Sequence, residues 1–224
     1  MERIIMHIDV NNAFLSWSAV KMLYDGYKID IRKTEAVIGG DESARHGIVL
    51  AKSPIAKARG VKTAETLISA RRKCKNLKIY PPDFNWYYFM SRKMFDLIRS
   101  YSPDIQILSV DECFLDYTKV QKLYGDPIKF AYHLKNKIYK TLKFTVNIGI
   151  ANNKLCAKMA SDFKKPNRVH TLFDYEIKDK MFPLDVGDLY GVGKKTTAKL
   201  KELNINTVSD LANSRSEERR VGKE

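Results

Sequence analysis

Cysteine is scarce in this chain. There are three in 224 residues, Cys74, Cys113 and Cys156, odd in number, far apart and set in apolar surroundings. That excludes a disulfide framework or a cysteine zinc site and predicts reduced core thiols in a cytoplasmic protein. Long apolar runs are also missing. None approaches the roughly 18 residues of a membrane span, and Glu2, Arg3 and Asp9 spoil a signal-peptide reading of the N-terminus, so no membrane partner is expected. Acidic residues fall short of basic ones, 26 Asp+Glu against 40 Lys+Arg, for a net charge of +14. Such an excess is the footprint of a phosphate-backbone binder; a solvated basic face or a surface that meets anionic lipid would look the same. The length permits one large or two small domains with a real core.

Against that basic background the informative residues are acidic. Asp111 and Glu112 stand side by side in SVDECFLD, and Asp9 lies in IIMHIDVNNAF. Each sits at or just beyond the end of an apolar, strand-like run, Ile4 to Ile8 and Ile105 to Val110. An unpaired buried charge is costly, so carboxylates placed this way make sense around hard divalent cations. Mg²⁺ is held by one or two carboxylates plus substrate phosphates, and two such ions can clamp the attacking and leaving oxygens of an in-line displacement. Taken singly, Asp111-Glu112 reads equally well as a polar hairpin tip and Asp9 as a helix N-cap. The pair, in this order, favours the metal site.

The remaining pattern predicts an α+β protein. A helix follows Asp9, carrying Ala13, Phe14, Trp17, Val20 and Leu23 until Gly26 stops it. Residues 27–82 read as a small α/β insertion, with strands at Ala36–Ile38 and Ile48–Ala51 and a helix from about Ala64 to Cys74 capped by Thr63. After Pro81-Pro82, helices are expected from about Asn85 to Tyr101 and from Pro127 to Leu142, Pro127 being well placed in a first turn. Thr145–Ile150 alternates as a half-buried strand, and Asn152 to Lys164 is helical until Pro166. With the insertion set aside, strands and helices follow one another as in a split-βαβ antiparallel sheet with helices on one face. Residues from Leu172 to Ala212 are short and helical. There Gly191-Val192-Gly193 joins two helices and Lys194, Lys195, Lys199 and Lys201 follow, an arrangement that suits a phosphate at a helix N-terminus; an ordinary helix–helix turn has the same glycines.

HIDVNNAF, SVDECFLD, TVNIGIANNKLCAKMASDFKKPN and DVGDLYGVGKKTTAKL together closely resemble the Y-family (DinB/UmuC-type) translesion DNA polymerases, particularly Firmicute members, from Arg3 to about Ala212. The resemblance implies a palm (1–10 and 83–171), fingers (11–82) and a helix-hairpin-helix thumb (172–214). It also implies a DNA primer–template and a dNTP as partners and two Mg²⁺ ions held by Asp9, Asp111, Glu112 and the backbone carbonyl of Val10, with Asp111 and Glu112 catalytic. Phe14 resembles the steric gate beneath the deoxyribose, although it also fits the helix's core stripe. Lys165 resembles the lysine that reaches the triphosphate, and Gly191, Gly193, Lys194 and Lys195 would meet DNA.

Two departures stand out. Where many members carry Tyr and Arg to hold the triphosphate, AKSPIAKARGV has Pro54 and Lys57, and lysine lacks arginine's bidentate fork; Lys52 and Arg59 are nearby candidates. The match also stops near Ala212 to Ser214, before the family's linker and little finger, through which a sliding clamp would be met. The tail RSEERRVGKE (215–224) reads as translated sequencing adapter. Two other functions compete: a catalytically inactive palm-fold DNA-binding accessory protein, and a palm enzyme that makes cyclic nucleotides. Intact carboxylates weigh against the first. The insertion, the thumb motif and the charge weigh against the second.

Overall fold

The apolar run at the N-terminus becomes a central strand. The structure, a computed structural model, describes residues 2–40 and 47–214, so the adapter reading of 215–224 lies outside the described residues. In chain order the elements begin β1 (Ile5–Val10), α1 (Ala13–Tyr24), β2 (Ala36–Gly39), β3 (Val49–Lys52), α2 (Pro54–Ala58), α3 (Leu67–Lys73) and β4 (Lys78–Tyr80). Next come α4 (Phe84–Arg99), β5 (Ile105–Ile107), β6 (Glu112–Asp116), α5 (Gln121–Tyr124), α6 (Pro127–Leu142) and β7 (Val146–Ala151). The chain closes with α7 (Lys154–Asp162), β8 (Val169–Thr171), α8 (Ile177–Lys180), α9 (Lys194–Glu202) and α10 (Val208–Asn213).

Five strands form the main sheet in the order β5-β6-β1-β7-β8. Strands β6 and β7 both run antiparallel to β1, which lies between them, so β6–α6–β7 is the expected split βαβ unit; β8 extends the sheet parallel to β7. Met6, Ile8 and Val10 alternate on one face and pack with Val146, Ile148 and Ile150 against Met94 and Ile98 of α4 and Phe130, Leu134 and Ile138 of α6. Helix α6 starts where Pro127 predicts, with Asp126 capping it by accepting from the Lys129 amide at 2.8 Å.

The opposite face is not open, as the helices-on-one-face expectation had it. Helix α7 lies on it, packing Ala157 and Ala160 against Ile5, Phe114 and Ala151. Every residue of β7 is therefore buried, not alternately exposed. The helix comes so close that a Cβ on Gly149 would collide with the backbone of Ala157 and Ser161, which is why that strand position carries glycine.

Strands β3, β2 and β4 form a separate three-stranded sheet in that order, with α2 and α3 packed on it through Val37, Val49, Ala56, Leu67 and Ala70. Helix α3 begins later than predicted. Its cap is Thr66, which accepts from the Ser69 amide, and not Thr63, because Ala64 takes a positive φ of 66° that breaks the turn. Helix α1 belongs to both units: Ala13 and Trp17 enter the main core, while Leu15 and Ala19 pack with Ile31, Ala36 and Ile38. At the C-terminal end Val186, Leu200 and Ile205 form a small core of their own.

All three cysteines are buried and free, and burial pushes the Cys113 thiol up to about 12. No helix among the described residues is long and apolar enough to cross a membrane.

Candidate active site

The register of the main sheet brings the predicted carboxylates together. Asp9 is the cross-strand partner of Glu112 on β6 and of Asn147 on β7. Asp111 precedes β6 by one residue, and its carbonyl accepts from the Val10 amide at 3.0 Å. Ser109 Oγ donates to Asp111 Oδ1 at 2.6 Å and fixes that side chain. Asp9, Val10, Phe14, Asp111 and Lys165 line a single cleft of about 340 Å³, floored by Leu50 and Ala51 of the smaller sheet. Pleat alternation puts His7 on the same face as Asp9.

Three cationic or neutral nitrogens attend the carboxylates. Lys158 of α7 places Nζ on Glu112 Oε2 and 3.8 Å from Asp9 Oδ2. Lys165 Nζ is 3.0 Å from Asp9 Oδ1 and 2.8 Å from Asp162 Oδ1. His7, fully buried, has Nδ1 2.8 Å from Ser161 Oγ and Nε2 3.2 Å from Glu112 Oε2. That last contact falls short of a well-aligned hydrogen bond. The His7 contact, followed by Lys158, overcomes burial and lowers the Glu112 pKa to about 2. Burial has the upper hand at Asp9 and raises its pKa despite Lys165 and Lys158. Burial pulls Lys165 down, but Asp9 and Asp162 outweigh it and its pKa is raised.

This donor set fits a divalent cation. Ligand atoms of His7, Asp9 and Glu112 lie within 4.8 Å of one another, and the carboxylate oxygens are of the kind hard cations take. Two ammonium groups now balance charge that a divalent ion could balance in their stead.

The other expected residues fall as follows. Phe14 is half-buried: it stacks on Tyr87 at 4.7 Å and 9° and meets Phe84 edge-on, yet keeps one side on the cleft, so it is both core and lining. Lys57 is exposed on α2 outside the cleft lining and lies near Lys52, whose pKa falls chiefly by burial and then by the Lys57 charge. Lys52 donates to Thr63 Oγ1 at 2.7 Å, and Arg59 is turned to Glu35 at 3.2 Å. Gly193 is the N-cap of α9, Lys194 and Lys195 open that helix, and Gly191 has φ +92°, which favours glycine. The element before these glycines is a 3₁₀ turn, Val186–Asp188, in place of the expected helix.

Lys158, His7 and Asn147 were not foreseen. Lys158 carried one signal, its i,i+4 spacing to Asp162 on α7. His7 stands two residues before Asp9, the same-face spacing of a strand. Asn147 carried none, because its role depends on contacts far along the chain.

Comparison with known proteins identifies the family. The impB/mucB/samB family profile matches residues 8–162, and a profile for the helix-hairpin-helix motif of the same family matches 176–205. The chain is 50% identical over 213 residues to DNA polymerase IV of Clostridium acetobutylicum, covering 95% of this chain and 53% of that one. It is 40% identical to DNA polymerase IV 1 of Bacillus subtilis, covering 94% and 49%. It thus spans about half the length of the curated relatives it matches. Among solved structures, DinB from Sulfolobus solfataricus superposes with a TM-score of 0.83 at 26% identity, over 98% of this chain and 63% of that one. An insertion ternary complex of Dbh DNA polymerase gives 0.83 at 25%, over 97% and 62%. Polymerases of this kind are nucleotidyltransferases that need a divalent metal. The chain belongs to the impB/mucB/samB family, the Y-family DNA polymerases of the DinB type.

Proposed function

We propose that this chain carries the catalytic portion of a template-directed, translesion-type DNA polymerase in which a primer 3′-OH attacks the α-phosphorus of a dNTP and pyrophosphate leaves. One observation carries the reading: the carboxylates Asp9 and Asp111, the aromatic ring of Phe14 and the ammonium of Lys165 line the same cleft. Asp9, Asp111, Glu112 and the Val10 carbonyl would hold two Mg²⁺ ions, whose chemistry is to neutralise phosphate charge and ease deprotonation of the attacking hydroxyl. The rest falls to the chain's own groups. Lys165 meets the triphosphate with a point charge, with Lys57 or Lys52 as a second cation from the fingers. Phe14 fills the space a 2′-OH would need, and Ser109 holds Asp111 in place. Catalysis here is mostly positioning and charge neutralisation.

In this reading 1–10 and 83–171 are palm, 11–82 fingers and 172–214 thumb. Gly191, Gly193, Lys194 and Lys195 hold a DNA phosphate, a sliding clamp is a further partner, and the enzyme works in the cytoplasm. The test is primer extension with Mg²⁺ on undamaged and abasic templates: dNTP-dependent extension supports the reading. DNA binding without extension, by a chain joined to the family's usual C-terminal half, favours the accessory-protein alternative.

A further inference from the structure

Lys165 sits in the connection from α7 to β8, and a free loop would give its ammonium no fixed place. Here the loop is held from beneath by a buried carboxamide. Asn147, fully buried on β7, uses all four of its hydrogen-bonding positions. Its Nδ2 donates to Ser161 O at 2.9 Å and Lys164 O at 2.8 Å. Its Oδ1 accepts from Arg168 N and from Asn11 Nδ2, both at 3.1 Å. Asn11 in turn accepts from the Asn167 amide at 2.8 Å. The chain is thus gripped just before Lys165, at Lys164, and just after it, at Asn167 and Arg168.

Both amides are tied to the strand that carries Asp9: Asn11 lies one residue past the end of β1 and Asn147 on the neighbouring β7. Asn11 follows Asp9 by two residues, and Asn147 is paired with Asp9 across the β1–β7 ladder. The rigid sheet therefore sets the distance from Lys165 to Asp9 and directs its ammonium into the cleft. Only a carboxamide fits: an aspartate would lose both donors, and alanine would leave Lys164 O, Ser161 O and Arg168 N without this partner at a buried site. We propose that Asn147, acting with Asn11, is a positioning residue that sets the reach of Lys165 and through it the affinity for the triphosphate. The inference rests on the reading of Lys165 as a triphosphate contact.

Lys135 also holds the loop, donating to Asn167 Oδ1 at 2.8 Å, so Asn147→Ala should loosen the connection without releasing it. The test is a double-mutant cycle read by equilibrium titration of a fluorescent dATP in Ca²⁺ on the protein with primer–template, which needs no turnover. Asn147→Ala and Lys165→Ala should each weaken nucleotide binding by about fivefold or more, the range of one charged contact. The double variant should bind no more weakly than Lys165→Ala alone, and DNA affinity should stay at the wild-type value. If Lys165→Ala weakens binding and the Asn147→Ala effect multiplies with it, the inference falls alone. If Lys165→Ala binds nucleotide like wild type, or the unaltered protein binds none, the reading of Lys165 falls and takes the inference with it. Should Asn147→Ala fail to fold, Asn11→Ala replaces it in the same cycle, since it leaves the Asn147 bonds to Lys164 and Ser161 in place; a multiplicative effect there overturns the inference equally.

Discussion

Lys158 holds Glu112 in an ion pair at the centre of the carboxylate cluster, and the same ammonium reaches within 3.8 Å of Asp9. A lysine side chain only 10% exposed thus stands where two acidic groups would otherwise repel each other. Removing it should cost the metal-free protein stability, about 3 kcal/mol if the pair behaves like other buried ones. It should also remove a competitor for the carboxylates. Lys158→Met is therefore expected to melt earlier without metal and to gain more in Tm from added Mg²⁺ than wild type gains, since a ligand stabilises by its affinity for the folded state. Equal metal-induced shifts in the two proteins would contradict this.

Glu112 also sets an acid dependence, through His7 first and then Lys158. The folded pKa of Glu112, about 2, lies below the ordinary 4.5. Its contribution is therefore complete above about pH 5 and is lost as pH falls toward 2, on the order of 3 kcal/mol before solvent screening reduces it. Asp9 works in the opposite sense: its raised pKa makes ionisation costly in the folded state, a cost relieved on acidification. Glu112→Gln should flatten the acid limb of a denaturant-melt series between pH 5 and 2. An unchanged limb would show that the His7 and Lys158 contacts of Glu112 contribute nothing net.

Phe14 should select the sugar. Phe14→Ala opens the cleft wall, so ribonucleotide insertion should rise by on the order of tenfold or more relative to dNTP, because the lost contact repels only the 2′-OH. Its stacking on Tyr87 implies a stability loss of about 2–3 kcal/mol as well, to be followed by melting. A folded variant with unchanged sugar discrimination would leave Phe14 a core residue only.

The thumb prediction is electrostatic. If Lys194 and Lys195 meet phosphate at the start of α9, each alanine variant should reduce the slope of log K against log salt by roughly 0.9 on duplex DNA. Affinity should fall alike on all sequences. A slope equal to wild type would place these lysines off the DNA.

Much of this was legible in the sequence, and the failures share a cause. Pro127, Gly26 and the apolar stripes of α4 and α6 act locally, so those elements fall where expected. Asp9 and Asp111-Glu112 were legible because charge at a strand end is a local anomaly. Val146–Ala151 was misjudged because Asn147 looks solvent-facing in a one-dimensional pattern, while in the fold other buried polar groups satisfy it. The Thr66 cap was misplaced by three residues because the positive φ of Ala64 leaves no mark in side-chain chemistry. Lys158 enters the site through the packing of α7 on the sheet, which the sequence pattern did not disclose, and His7 through its place on β1 beside Glu112 of β6.

Asp9, Asp111 and Glu112 are proposed as the metal-binding catalytic site of a polymerase. Its most direct test is single-turnover dNTP incorporation on a primer–template at saturating Mg²⁺, comparing wild type with Asp111→Ala in the chain joined to the family's usual C-terminal half. Asp111 is the cleaner choice because, unlike Glu112, it does not hold Lys158 in its ion pair. A rate loss on the order of 10³-fold or more is expected, several kcal/mol of transition-state stabilisation, with folding and DNA affinity nearly unchanged. Incorporation by Asp111→Ala within about tenfold of wild type would contradict it.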